Sequence, residues 1–384
     1  MKFIGLVLKS ARRSKRRTAL TMISVALAVF LFAALRSVLD GFDAVSAASS
    51  AQRLVTIRST SMIFSMPTSH TEAIKSTPGV TDVTWANWFG GIYKDPKNFF
   101  GQFAIDPESY LRMYPEVILS PEENEAFLAD RTGCIVGDGL AKKYGWQIGE
   151  RIVIQPGIPV YGSLDYPFTI RGIYRAGSSA VDNQSMMFHW KYADERSSPQ
   201  GQVGWVVTRV ANPDQATQVI AAIDQRFANS PYETKTETEQ AFSAQFASML
   251  GNLNLLLGSV ALAVVLSTLF VAGNTMAMSV RERTTEIAVM RTLGFPALTI
   301  FLLVVGEGLI VALVGGALGA ALARATINAE ALGMAGGFIP LFGVNNWNVV
   351  VGIGLSILIG LLAAVIPATM ASRLKIVDAL RRVA

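Results

Sequence analysis

Residues 12–35 read RRSKRRTALTMISVALAVFLFAAL: five cations among six positions, then eighteen residues from Thr18 to Leu35 without a charge. At about 1.5 Å per helical residue, such a run is long enough to cross a hydrocarbon core of about 30 Å. A cleaved signal peptide shares this pattern of a basic start and an apolar stretch. Three features favour a retained helix. The run exceeds the usual apolar region of a signal peptide, Arg36 to Asp43 offers no small-x-small cleavage site at its end, and Ala47-Ala48-Ser49 lies too far downstream. Composition agrees: of 384 residues 51% are hydrophobic and 16% charged, with a mean hydropathy of +0.39, whereas a soluble domain carries about a quarter charged residues.

Working outward, three further apolar runs lie at about Leu250 to Gly273, Ala297 to Ala323 and Trp347 to Met370. The connection from Thr326 to Asn346 has no Lys or Arg, while Thr275 to Pro296 carries Arg281, Arg283 and Arg291, and the tail carries Arg373, Lys375, Arg381 and Arg382. The positive-inside rule then places both termini and the 275–296 loop in the cytoplasm, with the long segment between the first two spans outside. The predicted fold class is a membrane protein of four transmembrane α-helices with a large α+β extracytoplasmic domain inserted between helices 1 and 2. Its expected boundaries are a basic N-terminus 1–17, helix 18–39, domain 40–245, helix 246–274, loop 275–296, helix 297–324, outer loop 325–346, helix 347–371 and tail 372–384.

Within the inserted domain, short β-branched and aromatic runs predict strands at Leu54–Arg58, Val80–Trp85, Cys134–Gly137, Arg151–Gln155, Phe168–Tyr174 and Val203–Val210. Ser69 and Glu72 have capping-box spacing ahead of a short helix that Thr77-Pro78-Gly79 stops. A second helix is expected over Pro213–Phe227, with Val219, Ile220, Ile223 and Phe227 on one face. Downstream of Thr234, polar Glu237, Gln240 and Gln245 alternate with Ala241, Phe242, Phe246 and Met249, which predicts a stalk leading into the second span. A matching stalk after Leu35 is weaker because Gly41 interrupts it.

Several function classes find no support. The net charge of +5 sits beside the apolar runs rather than in a separate basic domain, so nucleic acid is not an expected partner. The single Cys134 reads as a small buried residue, and His70 and His189 lie far apart without neighbours at metal-ligand spacing, so no metal site is expected. No G-x-x-x-x-G-K-[ST] phosphate loop is present, and no nucleophile elbow or carboxylate pair stands out in the inserted domain.

The 275–296 loop contains SVRERTTEIAVMRTLG from Ser279 to Gly294. Ile287, Met290 and Leu293 or Gly294 recur every three to four residues with charges between them, which predicts a short amphipathic helix stopped by Gly294-Phe295-Pro296. From topology alone, this helix could equally lie in the headgroups without a partner. In the third span, Glu307 between Gly306 and Gly308 reads as a hydrogen bond to another helix or as an intramembrane polar site. Gly315 and Gly319, at small-x-x-x-small spacing, read as helix packing.

The segment from Ser279 to Gly294 resembles the coupling segment of FtsX/MacB-type ABC transporter permeases. The tail Pro367-Ala368, Ala371-Ser372-Arg373 and Asp378-Ala379-Leu380-Arg381 is similar to the end of that family, and Ile135-Val136-Gly137-Asp138-Gly139-Leu140-Ala141-Lys142-Lys143 with Ile148-Gly149-Glu150 is similar to its periplasmic core domain. The resemblance implies a permease of the bacterial inner membrane that is not itself an enzyme and pairs with a second copy or a paralogue. Two ABC ATPase subunits would bind ATP and Mg, leaving no cofactor on this chain. Membrane lipid, a periplasmic adaptor and an outer-membrane channel are further implied partners. The coupling residues would be Arg281, Glu282, Arg283, Glu286, Ile287, Met290, Arg291 and Gly294, with Ile287 and Met290 as the apolar anchor and the charges at the rim. The implied action is export or extraction of a substrate outside the membrane. An FtsX-like scaffold that activates a cell-wall hydrolase is the alternative.

Overall fold

The computed structural model describes residues 15–98, 100–178, 181–249, 253–327 and 343–374. The basic residues before Lys15, most of the outer loop and the tail motif Asp378–Arg381 lie outside them. The described residues form two units, the long apolar helices and the inserted domain.

The inserted domain follows the helix α1 (Lys15–Ala48). Its elements are β1 (Arg53–Arg58), β2 (Met66–Pro67), α2 (Ser69–Lys75), β3 (Val80–Trp88), β4 (Gly101–Ile105), α3 (Pro107–Met113), β5 (Val117–Ile118), α4 (Pro121–Ala129), β6 (Gly133–Gly137), α5 (Asp138–Tyr144), β7 (Arg151–Ile154) and β8 (Tyr166–Ala176). After these come β9 (Ser185–His189), α6 (Trp190–Asp194), β10 (Gln202–Val203), β11 (Trp205–Val210), α7 (Ala216–Phe227), β12 (Thr234–Thr238) and α8 (Glu239–Met249). Ten strands make one mixed sheet in the order β12-β1-β11-β3-β4-β9-β6-β8-β5, with β7 paired to β8, while β2 and β10 form a separate ribbon. The pairs β4–β9 and β6–β8 are parallel. The strand expected over Val203–Val210 is split at Gly204, so that Val203 joins the ribbon and Trp205 onward joins the sheet.

Apolar clusters line both faces of the sheet, and two of them share one face. Ala216, Val219, Ile223 and Phe227 recur at helical spacing along α7 and bury against Leu54, Val83 and Val206. In the second cluster Phe188 meets Phe89 edge-on and Phe168 at a tilt, and the same cluster encloses Cys134. Burial without a cationic neighbour pushes the Cys134 thiol far up. His189 Nε2 lies 2.8 Å from the Phe127 carbonyl, and His70 stacks on Phe227 at 4.1 Å between ring centroids, so both histidines serve packing. The family-like segment Ile135–Lys143 is β6 running into α5; a Cβ at Gly137 would lie 2.0 Å from the Asn183 carbonyl oxygen, so only glycine permits that approach.

Three expectations need correction. The helix at 69–75 is capped from Thr68 without a side-chain bond, so Ser69 and Glu72 form no capping box; the box is at Ser120 and Glu123, whose side chains satisfy each other's backbone N–H groups. The stalk expected from Thr234 begins at Glu239 instead, because Thr234–Thr238 is claimed as an edge strand by β1, with Thr236 Oγ1 3.0 Å from Thr56 Oγ1. Gly41 does not interrupt α1, which continues to Ala48. A single glycine costs a helix only about 1 kcal/mol.

Among the described residues, four helices are long and apolar enough to cross a membrane: part of α1, then α9 (Leu253–Glu282), α11 (Ala297–Thr326) and α12 (Asn346–Ser372), with the short α10 (Thr284–Thr292) between α9 and α11. The chain is thus a multi-pass membrane protein. Small residues on α11 set its contacts. A Cβ at Gly315 would lie 2.7 Å from the Met22 carbonyl oxygen and one at Gly319 2.2 Å from that of Ala26, so this pair seats α11 against α1. A second stripe, Gly308, Ala312 and Gly316, meets Ala364, Gly360 and Ser356 of α12. The span α9 is the least covered of the four.

Candidate coupling site at the end of the membrane bundle

The segment SVRERTTEIAVMRTLG is built as two helices with a break at Arg283. The span α9 ends at Glu282, Arg283 leaves helical geometry at φ −107°, ψ 17°, and α10 begins at Thr284. At the far end, Phe295 N–H donates to Met290 O and Gly294 N–H donates to Arg291 O, both at 3.1 Å, which is the Schellman pair. It requires a left-handed residue, and Gly294 supplies φ +88°. Pro296 then starts α11, where its missing N–H costs nothing.

Arg283 occupies the break and holds two carboxylates. Its Nε lies 3.2 Å from Glu286 Oε2 and its Nη1 lies 2.9 Å from Glu307 Oε2. Glu307 is only 7% exposed, so the carboxylate in the third span is satisfied by an arginine reaching it from the neighbouring break. Arg283 therefore points into its own bundle rather than to a rim. A cavity of about 20 Å³ borders this ion pair, walled by Val280, Ile287, Ile300 and Val304.

The apolar positions divide differently from the sequence expectation. Ile287 is 3% exposed and packs with Val280, Ile300, Val304, Ala364 and Ala368, and Met290 leans on the same cluster. The face predicted to await a partner is covered by the chain's own helices, because the crossing of α9, α11 and α12 closes over that side of α10. The outward side carries Val289, 46% exposed, and Leu293, 72% exposed, with Arg281, Glu282 and Thr285 also exposed. Arg17 Nη1 lies 2.6 Å from Glu282 Oε2, which puts the start of the first span beside the end of the second. The close of the fourth span, Ala368 to Leu374, joins the cluster around Ile287. Arg17, α10 and the end of α12 thus share one end of the bundle.

Sequence reasoning missed a second charged group, in the inserted domain. Buried Arg53, at the start of β1, reaches Glu239 Oε2 at 2.8 Å on α8 and Glu116 Oε1 at 3.0 Å, with its guanidinium 4.5 Å above the Tyr114 ring. Burial works against its charge, but Glu239, with smaller contributions from Tyr114 and Glu116, offsets that and the pKa is raised. Arg53 thereby ties the first strand of the insert to its last helix. Its signal in the sequence was an arginine one place ahead of an apolar strand.

The MacB-like periplasmic core domain family matches residues 18–226, and the FtsX-like permease C-terminal family matches residues 258–376. An uncharacterised ABC transporter permease of Methanocaldococcus jannaschii is 23% identical over 337 residues, 83% of this chain and 82% of that one. Among solved structures, the extracellular domain of the noncanonical ABC-type transporter YknZ from Gram-positive bacteria aligns with 48% of this chain and 100% of its own at 12% identity and a TM-score of 0.36. The periplasmic region of MacB from Actinobacillus actinomycetemcomitans aligns with 54% of this chain and 95% of its own at 9% identity and a TM-score of 0.37.

Proposed function

Since the chain belongs to the ABC transporter permeases that join a MacB-like periplasmic core domain to an FtsX-like permease region, we propose that it is driven by a separate ATPase seated on the outward face of α10. The observation that carries this is the exposure of Val289 on α10 and of Leu293 at its end, at the bundle end that also holds exposed Arg281 and Glu282 and the start of the first span at Arg17. An exposed apolar pair with charges at the same end is what an interface core and rim need, the ion pairs contributing register more than affinity. The ATPase binds ATP and Mg, and this chain supplies the surface it pushes against. Two copies of the permease pair through their least covered spans, chiefly α9, each copy carrying one ATPase. The bundle end bearing α10 faces the cytoplasm of a bacterial inner membrane, and the inserted domain works outside on a substrate to be exported or extracted.

The test is to co-express the chain with candidate ABC ATPases and purify through the permease. ATPase recovered at one copy per permease, and released by Leu293→Asp, supports the reading. Failure of every candidate ATPase to bind α10, with hydrolase-activating partners recovered on the inserted domain instead, would favour a signalling scaffold.

A further inference from the structure

We propose that Arg283 and Glu307 form a fixed joint that makes α10 and α11 move as one body, so that a push on α10 enters the bundle through the third span rather than the second. This rests on the reading of α10 as the helix an ATPase displaces. Three observations carry it. First, the backbone between α9 and α10 is broken at Arg283, whereas the side chain of that same residue crosses to α11 and binds Glu307 at 2.9 Å. Covalent continuity runs to the second span through that non-helical residue and to the third through the turn at Leu293–Pro296, and a charge-assisted bond is added to the third alone. Second, Glu307 is nearly buried, so separating the pair would take a charge-assisted bond from a carboxylate that lies beside Val304 and Ile300. A helix held in that way does not slide gradually; it moves together with its partner or the bond breaks. Third, Ile287 adds apolar packing with Ile300 and Val304 of α11, in a cluster that also takes in Val280 of α9, so the added polar bond is what distinguishes the third span from the second. From α11, motion has close-packed routes onward, to α1 at Gly315 and Gly319 and to α12 at Gly308 and Gly316. The span α9, least covered of the four, is the one left to pivot at Arg283.

The full-length permease in complex with its ATPase is reconstituted in lipid nanodiscs with spin labels at the exposed positions Thr292 on α10, which leaves the docking pair Val289 and Leu293 intact, Leu302 on α11 and Met278 on α9. The buried Cys134 stays unlabelled. Pairwise distances are recorded with ADP and with Mg-ATP plus vanadate. The expected result is a constant 292–302 distance and a nucleotide-dependent 292–278 distance. A 292–302 distance that changes with nucleotide overturns the joint while leaving α10 as the coupling helix. No change in either distance, with the ATPase bound and turning over, overturns the coupling reading and the joint with it. Glu307→Gln should let the 292–302 distance vary with nucleotide. If that variant fails to assemble, the double change Arg283→Met with Glu307→Leu removes the pair without leaving a lone charge at position 307, while Glu286, half-exposed, exchanges Arg283 for solvent, and the variant should fold yet show the same loss of constancy. A double variant whose 292–302 distance stays constant would show that packing alone holds α10, and the pair would not be the joint.

Discussion

Replacing Ile287 and Leu293 in turn by aspartate separates what holds α10 to its own bundle from what α10 offers to a partner. Ile287 is 3% exposed and lies among Val280, Ile300, Val304 and Ala364. Truncating such a side chain costs about 2–5 kcal/mol, and an unpaired carboxylate in its place adds to that. Against a total stability of about 5–15 kcal/mol, Ile287→Asp should lower the melting temperature of the detergent-solubilised permease or prevent its assembly, with no ATPase present. Leu293 is 72% exposed, so Leu293→Asp should leave that melting temperature nearly unchanged, within about 0.5 kcal/mol. At an ATPase interface, however, a buried anchor contributes about 2 kcal/mol or more, which corresponds to roughly a thirtyfold weaker Kd. The assay pairs thermal unfolding of the permease alone with a binding titration of the ATPase. The reasoning is refuted if Leu293→Asp binds ATPase with unchanged affinity, or if Ile287→Asp melts like the parent and loses only the ATPase.

Other expectations follow from the same geometry. Gly319→Leu forces a Cβ to within 2.2 Å of the Ala26 carbonyl oxygen, so it should separate α1 from α11 and lower the melting temperature of the permease; an unchanged melting profile would contradict the packing described. Asp182 is half-buried, and loss of solvent around its carboxyl pushes its pKa up to about 6, above the ordinary 3.8. The folded chain therefore holds this proton where the unfolded chain has lost it, and the stability it contributes falls between about pH 4 and pH 6, by on the order of 3 kcal/mol. Asp182→Asn, which keeps an acceptor for the Gln184 N–H, should raise unfolding stability at pH 7 and flatten the profile across that window. For topology, cysteines introduced at Ser178 and Asn345 should react with an impermeant reagent added to intact cells, and one at Thr284 should not; outside labelling at Thr284 would overturn the four-span orientation.

The sequence by itself determined the four spans, because a bilayer accepts only helices that satisfy their own backbone, and length with apolarity suffices to mark them. It also determined the stop at Gly294 and the packing role of Gly315 and Gly319, since a left-handed cap and a close helix approach each demand a glycine. Much of the inserted sheet was legible where β-branched runs stand between turn residues, as at Arg53–Arg58 and Val80–Trp88. The strands Ser185–His189 and Thr234–Thr238 were not. The first is a short, almost wholly buried run without alternation, and the second is a polar edge strand that exists because β1 supplies its hydrogen bonds. The direction of α10 was likewise beyond the sequence. Ile287, Val289, Met290 and, at the cap, Leu293 spread apolar groups over nearly half the circumference of a nine-residue helix, and periodicity says only that some part of that arc is buried. The positions of α9, α11 and α12 in space chose Ile287 for the core and left Val289 and Leu293 outside. The pairing of Arg283 with Glu307, 24 residues apart, was set the same way: two charges near a bilayer require partners, but only the folded bundle decides which ones come within reach.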